Sequence, residues 1–166
     1  MGLDVTAYQY VRPAADGEGM SARWPDEPDD EAGYVRLYVN PDFPAHAGAL
    51  RTGVYHTSGE RHGFLAGSYS GYNAWRDQLA RMAGYESARA VWAQADTIAG
   101  RPFVGLINFS DCEGVIGPAV CAALAADFAA HQPQADAHPD AWFRAKYADW
   151  RRACELAADG GAVELH

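Results

Sequence analysis

Two stretches of the chain combine residue types that can do chemistry. The first, Ser68-Tyr69-Ser70-Gly71-Tyr72-Asn73-Ala74-Trp75-Arg76, puts aromatic faces, a carboxamide and a guanidinium within a short span. Aromatic faces stack on a nucleobase, an amide pairs with a base edge, and a guanidinium clamps a carboxylate or phosphate. At the start of a helix the first-turn N–H groups also receive an anion, with Ser70 or Asn73 as the cap. The plainer alternative makes Tyr72 and Trp75 a core stripe, Ser70 a cap and Arg76 a surface residue.

The second stretch is Asn108-Phe109-Ser110-Asp111-Cys112-Glu113-Gly114-Val115-Ile116-Gly117-Pro118. Asp111 and Glu113 can share a metal or act as acid and base, and Ser110 or Cys112 can act as a nucleophile. With carboxylates on both sides, Cys112 is the weaker nucleophile candidate. The same residues equally suit turn and capping hydrogen bonds. If the protein is an enzyme, the expected catalytic set is Asp111, Cys112, Glu113 and His62, with His56 as the other histidine near the same turn. The expected ligand-binding set is Arg61, His62, Tyr69, Ser70, Tyr72, Asn73, Trp75, Arg76, Ser110, Asp111 and Glu113. No role falls to His46, His131, His138 or His166. The chain has no GxGxxG after its first strand, no P-loop, no GxSxG and no HExxH, so the main nucleotide-binding, esterase and metalloprotease classes lose their support.

Hydrophobic period assigns the elements that position these stretches. Leu3 to Val11 alternates, as does Tyr34 to Asn40, and Gly53 to Thr57 and Gly63 to Ser68 are short strands about a turn at Ser58 to Arg61. Pro13 to Gly33, rich in Gly, Pro and carboxylates, is expected to be an exposed acidic loop. From Ser70 the period becomes helical, through Tyr72, Trp75, Leu79 and Met82. It repeats through Ala88, Val91, Trp92 and Ala95 to an end near Gly100. Phe103 to Phe109 is almost continuously apolar and is expected to be a central strand buried on both faces. Pro118 opens a helix striped by Val120, Cys121, Leu124 and Phe128. A polar turn around Gln132-Pro133 and His138-Pro139 precedes the clearest helix, striped by Phe143, Tyr147, Trp150 and Cys154 and stopped at Gly160-Gly161. Ala162 to Leu165 is a short final strand. The expected fold is α+β in a single domain over 1–166, a mainly antiparallel sheet of about five strands packed with about four helices concentrated in the C-terminal half. A parallel pairing around Phe103 to Phe109 is an open alternative.

Composition bounds the partners. With 166 residues, 49% of them apolar, the chain can bury one sizeable core. Thirteen basic against 22 acidic residues give a net charge of -9, and Lys146 is the sole lysine, which excludes general nucleic-acid binding through net positive charge. Five of the carboxylates lie in the run Asp26 to Glu31 and can attract a basic protein. Cys112, Cys121 and Cys154 have no CxxC spacing, so neither a disulfide framework nor a structural zinc site is indicated. No cofactor or metal is expected. The N-terminus lacks the pattern of a signal peptide and no long apolar run follows, so the expectation is a soluble, cytoplasmic protein without membrane partners.

The two stretches, together with Glu155-Leu156-Ala157-Ala158-Asp159-Gly160-Gly161-Ala162-Val163, resemble an uncharacterised family of bacteriophage and prophage proteins. The resemblance runs from about Tyr55 to the C-terminus and leaves the acidic loop outside. It implies a setting, a phage or its bacterial host, and no activity. Taken together, these observations lead to a phage-associated protein holding a small polar ligand, nucleotide-like and anionic. Its negative groups would meet Arg61, Arg76 and helix N-termini, with Tyr69, Tyr72 and Trp75 as apolar walls. The alternatives are an acidic interaction or inhibitor protein, and a hydrolase or transferase using the Asp111 to Glu113 loop with a histidine.

Overall fold

Alternating apolar residues and two long amphipathic helices organise the chain into two antiparallel sheets with helices packed on one of them. The computed structural model describes residues 2–166. The strands are β1 (Leu3–Tyr8), β2 (Val11–Pro13), β3 (Tyr34–Leu37), β4 (Gly53–Thr57), β5 (Arg61–Gly67), β6 (Gly114–Ile116) and β7 (Ala162–Leu165). The helices are α1 (Pro44–Ala47), α2 (Tyr69–Met82), α3 (Ala88–Ala93), α4 (Val104–Ile107), α5 (Pro118–Ala130), α6 (Gln132–Asp136) and α7 (Ala141–Ala157). The larger sheet has the order β5-β1-β7-β6 and the smaller one β2-β4-β3. Every pairing is antiparallel, which removes the parallel alternative. The architecture is the expected single α+β domain, with seven strands and seven helices among the described residues because several short elements join the long ones. No helix among the described residues is long and apolar enough to cross a membrane.

In β1 the alternation does what its period requires: Leu3, Val5 and Ala7 are buried and Asp4 is exposed. Against that face pack α2 and α7, whose Tyr72, Trp75, Leu79, Phe143, Tyr147 and Trp150 form the centre of the main core. Asp140 caps α7 by accepting from the Trp142 N–H. The helix ends where the Gly161 N–H donates to the Ala157 carbonyl, and a Cβ at Gly161 would overlap the Tyr8 carbonyl oxygen. Only glycine lets β7 return against β1 at that point. A second, smaller core joins the two sheets through Tyr8, Val35, Leu37, Tyr55 and Val115.

Five expectations are corrected. Phe103 to Phe109 is not a strand but the turn of helix α4, and the centre of the larger sheet is β1 and β7. Phe103 takes a left-handed conformation at φ 62° and its N–H donates to the Asp127 carboxylate at 2.9 Å, which breaks an extended run before it starts. A continuous apolar run carries no period, so burial alone did not separate strand from helix here. Leu3 to Val11 is two strands, broken at Tyr10 with φ 53°, and the chain crosses there from one sheet to the other. The second helix stops at Ala93, well short of Gly100, and Trp92 projects from the rim of its stripe, 43% exposed. Gly114 to Ile116, inside a stretch read as a loop, is strand β6, while Gln132 to Asp136, read as turn, is helix α6.

Glu164 in β7 supplies a pH test of the larger sheet. Burial raises its carboxyl pKa above the ordinary 4.5, and the Tyr8 hydroxyl donates to it at 3.1 Å. Because the folded value lies above the unfolded one, the carboxyl's contribution is full below the unfolded value and is lost as pH rises through the folded one. Glu164→Gln removes that loss. Urea titrations at several pH values are expected to show the variant gaining stability relative to wild type from pH 4.5 upward; a constant difference would contradict the assignment.

Candidate functional site

Arg76 is the residue that joins the two stretches. It sits two turns into α2 on the buried face, 3% exposed, with its guanidinium over the Tyr72 ring at 4.7 Å and the Trp92 ring at 5.5 Å. Its Nη1 donates to the Ile107 carbonyl at 3.1 Å and to the Phe109 carbonyl at 2.7 Å, and its Nη2 donates to the Asn73 carboxamide oxygen. The Trp92 indole N–H donates to the same Ile107 carbonyl at 2.6 Å. The end of α4 thus has partners for carbonyls that a helix terminus leaves free. Asn73 completes the connection by donating to Asp111 Oδ2 at 2.7 Å, and Asp111 lies 4.0 Å from Arg76 Nη2.

Beyond Arg76 the chain turns tightly. Ser110 Oγ, 6% exposed, accepts from the Cys112 N–H at 3.2 Å and the Glu113 N–H at 3.1 Å, which turns the chain and sends Asp111, Cys112 and Glu113 outward. From the opposite side the Asn40 amide donates to the Glu113 carbonyl at 3.1 Å. Gly114, at φ 127°, is required where β6 begins, since a Cβ there would lie 2.8 Å from Asn40 Cβ. These contacts form one wall of an open cleft of about 440 Å³. Asp111, Cys112 and Glu113 line it with Arg76, and Tyr38, Phe43 and Trp92 supply aromatic surface. A neighbouring cavity of about 490 Å³ shares Asp42, Phe43, Trp92 and Asn108 with it and continues past His46 to Asp96. Burial holds the His46 pKa below the ordinary 6.5, against a backbone hydrogen bond at Gly105.

The expected site residues therefore separate into groups. Arg76, Ser110, Asp111 and Glu113 line the cleft, as does Cys112, and Asn73 stands behind them bonded to both Arg76 and Asp111. Tyr72 and Trp75 are fully buried in a stack with Trp150 and present no face to the cleft, so they are not its walls. Tyr69 and Ser70 remain at the exposed start of α2, where Ser68 accepts from the Gly71 N–H and Trp142 lies close to Gly67. That terminus is capped by the chain itself. Arg61 is on β5, paired with Asp30 at 2.7 Å, and His62 stacks on Phe64 with Asp149 of α7 at 3.8 Å. His56 packs edge-on against Tyr34 in the smaller sheet. Neither histidine lines the cleft, so the Cys112 and Asp111 loop has neither His62 nor His56 beside it.

Sequence reasoning missed the opposite wall: Tyr38, Asn40, Asp42 and Phe43, with Trp92 at the rim and His46 in the adjoining cavity. The available signal was Pro41-Asp42-Phe43-Pro44, a large aromatic fixed between two prolines in an otherwise polar connection. No group of three His, Cys, Asp or Glu side chains among the described residues is placed to hold a metal ion. No protein-family model, curated protein or solved structure matches the chain.

Proposed function

We propose that the protein is a small-ligand-binding protein whose ligand is a polar, nucleotide-like molecule held in the cleft between Trp92 and the Ser110 to Glu113 loop. The observation that carries this reading is the hydrogen-bonded junction of the two stretches at Arg76, Asn73 and Asp111, on one wall of an open cleft with aromatic surface. Pockets of this size, part aromatic and part polar, are typical for molecules of nucleoside dimensions. In the phage or prophage setting that the resemblance implies, holding a host molecule out of circulation is a coherent use. Negative charge on the ligand is the feature the geometry favours least. Asp42, Asp111 and Glu113 line the cleft, and Arg76 engages protein acceptors through both Nη atoms.

Thermal-shift screening of nucleosides and nucleotides tests the proposal. A ligand at a hundred times its Kd stabilises the folded state by about 2.7 kcal/mol, which for a domain of this size raises Tm by roughly 5 to 10 °C. The shift is expected to vanish in Trp92→Ala. Absence of any shift across the panel at millimolar concentration would reject the reading.

A second reading has one observation behind it. The acidic loop is fixed by a bridge between Met20 and Pro28 and by the Asp30–Arg61 pair, leaving Asp26, Glu27 and Glu31 exposed on an ordered segment. That presentation suits a basic protein surface.

A further inference from the structure

We infer that Cys121 and Cys154 form a redox-sensitive pair, a buried dithiol that a peroxide converts into a disulfide tying α5 to α7. The pair lies outside the cleft and is independent of its ligand. Helix register brings the two residues together. Ile116 of β6 pairs with Val163 of β7, so the start of α5 lies beside the end of α7 and the two helices run antiparallel. Farther along, the Phe128 and Tyr147 rings meet at 4.8 Å and the Tyr147 hydroxyl donates to the Phe128 carbonyl at 2.6 Å. Cys121 lies seven residues before Phe128, and Cys154 seven after Tyr147. Seven residues are two helical turns, so each cysteine shares the face of its helix's ring and sits about 10 Å from it along the axis, in the same direction. Both side chains are buried, at 0% and 1% exposure, in the core that α5 and α7 share. Their nearness also shows in the Cys154 thiol: hydrogen bonding with the Cys121 side chain, and then burial, push it well above the ordinary 9.0. The Cys121 S–H itself donates to the Ile116 carbonyl at 3.6 Å, which holds it one turn into α5.

Both cysteines are thiols in this structure. The thiolate of one attacks an oxygen of hydrogen peroxide, giving a sulfenic acid and a hydroxide that leaves as water. The thiolate of the other then attacks the sulfenic sulfur, forming the S–S bond and expelling a second hydroxide, which takes up a proton. In total the two thiols lose two hydrogens and one peroxide becomes two waters. No group of three metal-ligating side chains among the described residues includes the pair, which favours bond formation between the two sulfurs. Burial makes the reaction slow, because thiolate is scarce and the oxidant enters when the first turn of α5 opens. An apolar cavity of about 240 Å³ borders that turn from Gly117 to Val120 and gives it room to move.

Treating the full chain carrying Cys112→Ser with millimolar hydrogen peroxide tests the inference; the substitution removes the exposed thiol and leaves the buried two. After removal of peroxide and unfolding in guanidinium, thiol titration is expected to find both thiols lost together. Mass spectrometry is expected to find the Cys121 and Cys154 peptides joined, two hydrogens below the sum of their masses. Tm is expected to rise by roughly 5 to 10 °C, because the link restricts the unfolded chain, and to return on reduction with dithiothreitol. Cys121→Ala and Cys154→Ala in the same background are expected to show no such rise. Thiols that survive a day of exposure overturn the inference. So do oxygen adducts on either cysteine without a link, and a link that forms only when urea has unfolded the chain. A disulfide that leaves Tm unchanged or lower would mean that α5 and α7 must part to make it, and overturns the pairing as well.

Discussion

Replacing Arg76 by methionine lowers the free energy of unfolding by about 3 to 5 kcal/mol, the cost of taking one partner out of a buried charged network. Methionine keeps much of the apolar stem but leaves the Ile107 and Phe109 carbonyls, the Asn73 carboxamide oxygen and the Asp111 carboxylate without their common partner. Each hydrogen bond to a charged group contributes about 1.5 to 3 kcal/mol, so losing three in one substitution places the effect at the upper end for point changes. Against a total stability of about 5 to 15 kcal/mol, the variant is expected to unfold at much lower urea concentration. Arg76→Lys keeps the charge but not the planar fork that reaches two carbonyls and an amide together, and is expected to fall between the two. Hydrogen exchange separates this role from a surface one: amides from Ser110 to Glu113 lose protection first. A change in stability below about 1 kcal/mol would show that Arg76 does not hold α4 and the loop together.

The same residue marks the limit of what could be read from the chain. Arg76 lies one position after Trp75 and, by spacing, on the flank of the stripe through Tyr72, Trp75 and Leu79. A polar residue on that flank is ordinarily solvated, yet here α4 packs over it. The apolar run Phe103 to Phe109 hides that packing, because it reads as a strand whose carbonyls a neighbouring strand would answer. Once the segment is one turn of helix, its carbonyls need outside donors, and Arg76 and Trp92 supply them. The long elements were legible: β1 alternates from Leu3 to Ala7, and the Phe143, Tyr147, Trp150 and Cys154 stripe is buried as its period demands.

Among the short elements β3, β4 and β7 were legible, but β6, α1, α4 and α6 were not, because they are too short to show a helical period or lie in stretches without alternation. Half of the cleft depends on one of them. Phe43 and His46 flank or belong to α1, and their rings meet Phe109 at 5.2 Å and 4.9 Å. The polar Ser110 to Glu113 loop was found from its own sequence, since carboxylates directly after an apolar run are unusual. Its facing wall comes from a distant part of the chain. Tertiary packing alone made the two into one cleft.

Trp75→Ala carries the other large expected effect, and it separates core from site. Trp75 is fully buried, stacked 6.1 Å from both Tyr72 and Trp150 and 5.8 Å from Phe143, and its indole N–H donates to the Phe143 carbonyl at 3.3 Å. Truncation opens a cavity among rigid rings that cannot collapse into it, for a loss of about 3 to 5 kcal/mol in urea denaturation. Were Trp75 a wall for the ligand, truncation would first weaken binding. Its position instead predicts that folded Trp75→Ala protein keeps wild-type affinity for whichever ligand the cleft accepts. Trp75→Phe, which retains most of the ring stack, keeps both that affinity and most of the stability. Trp92→Ala is the converse: a half-exposed ring on the rim, whose loss costs little of the core but removes the stacking face and the donor to Ile107. Measured on the same preparations, lost affinity in Trp75→Ala together with retained affinity in Trp92→Ala would move the site from the cleft into the α2–α7 core. The opposite pair of results follows from a guanidinium, rather than an aromatic stripe, linking the first stretch to the second.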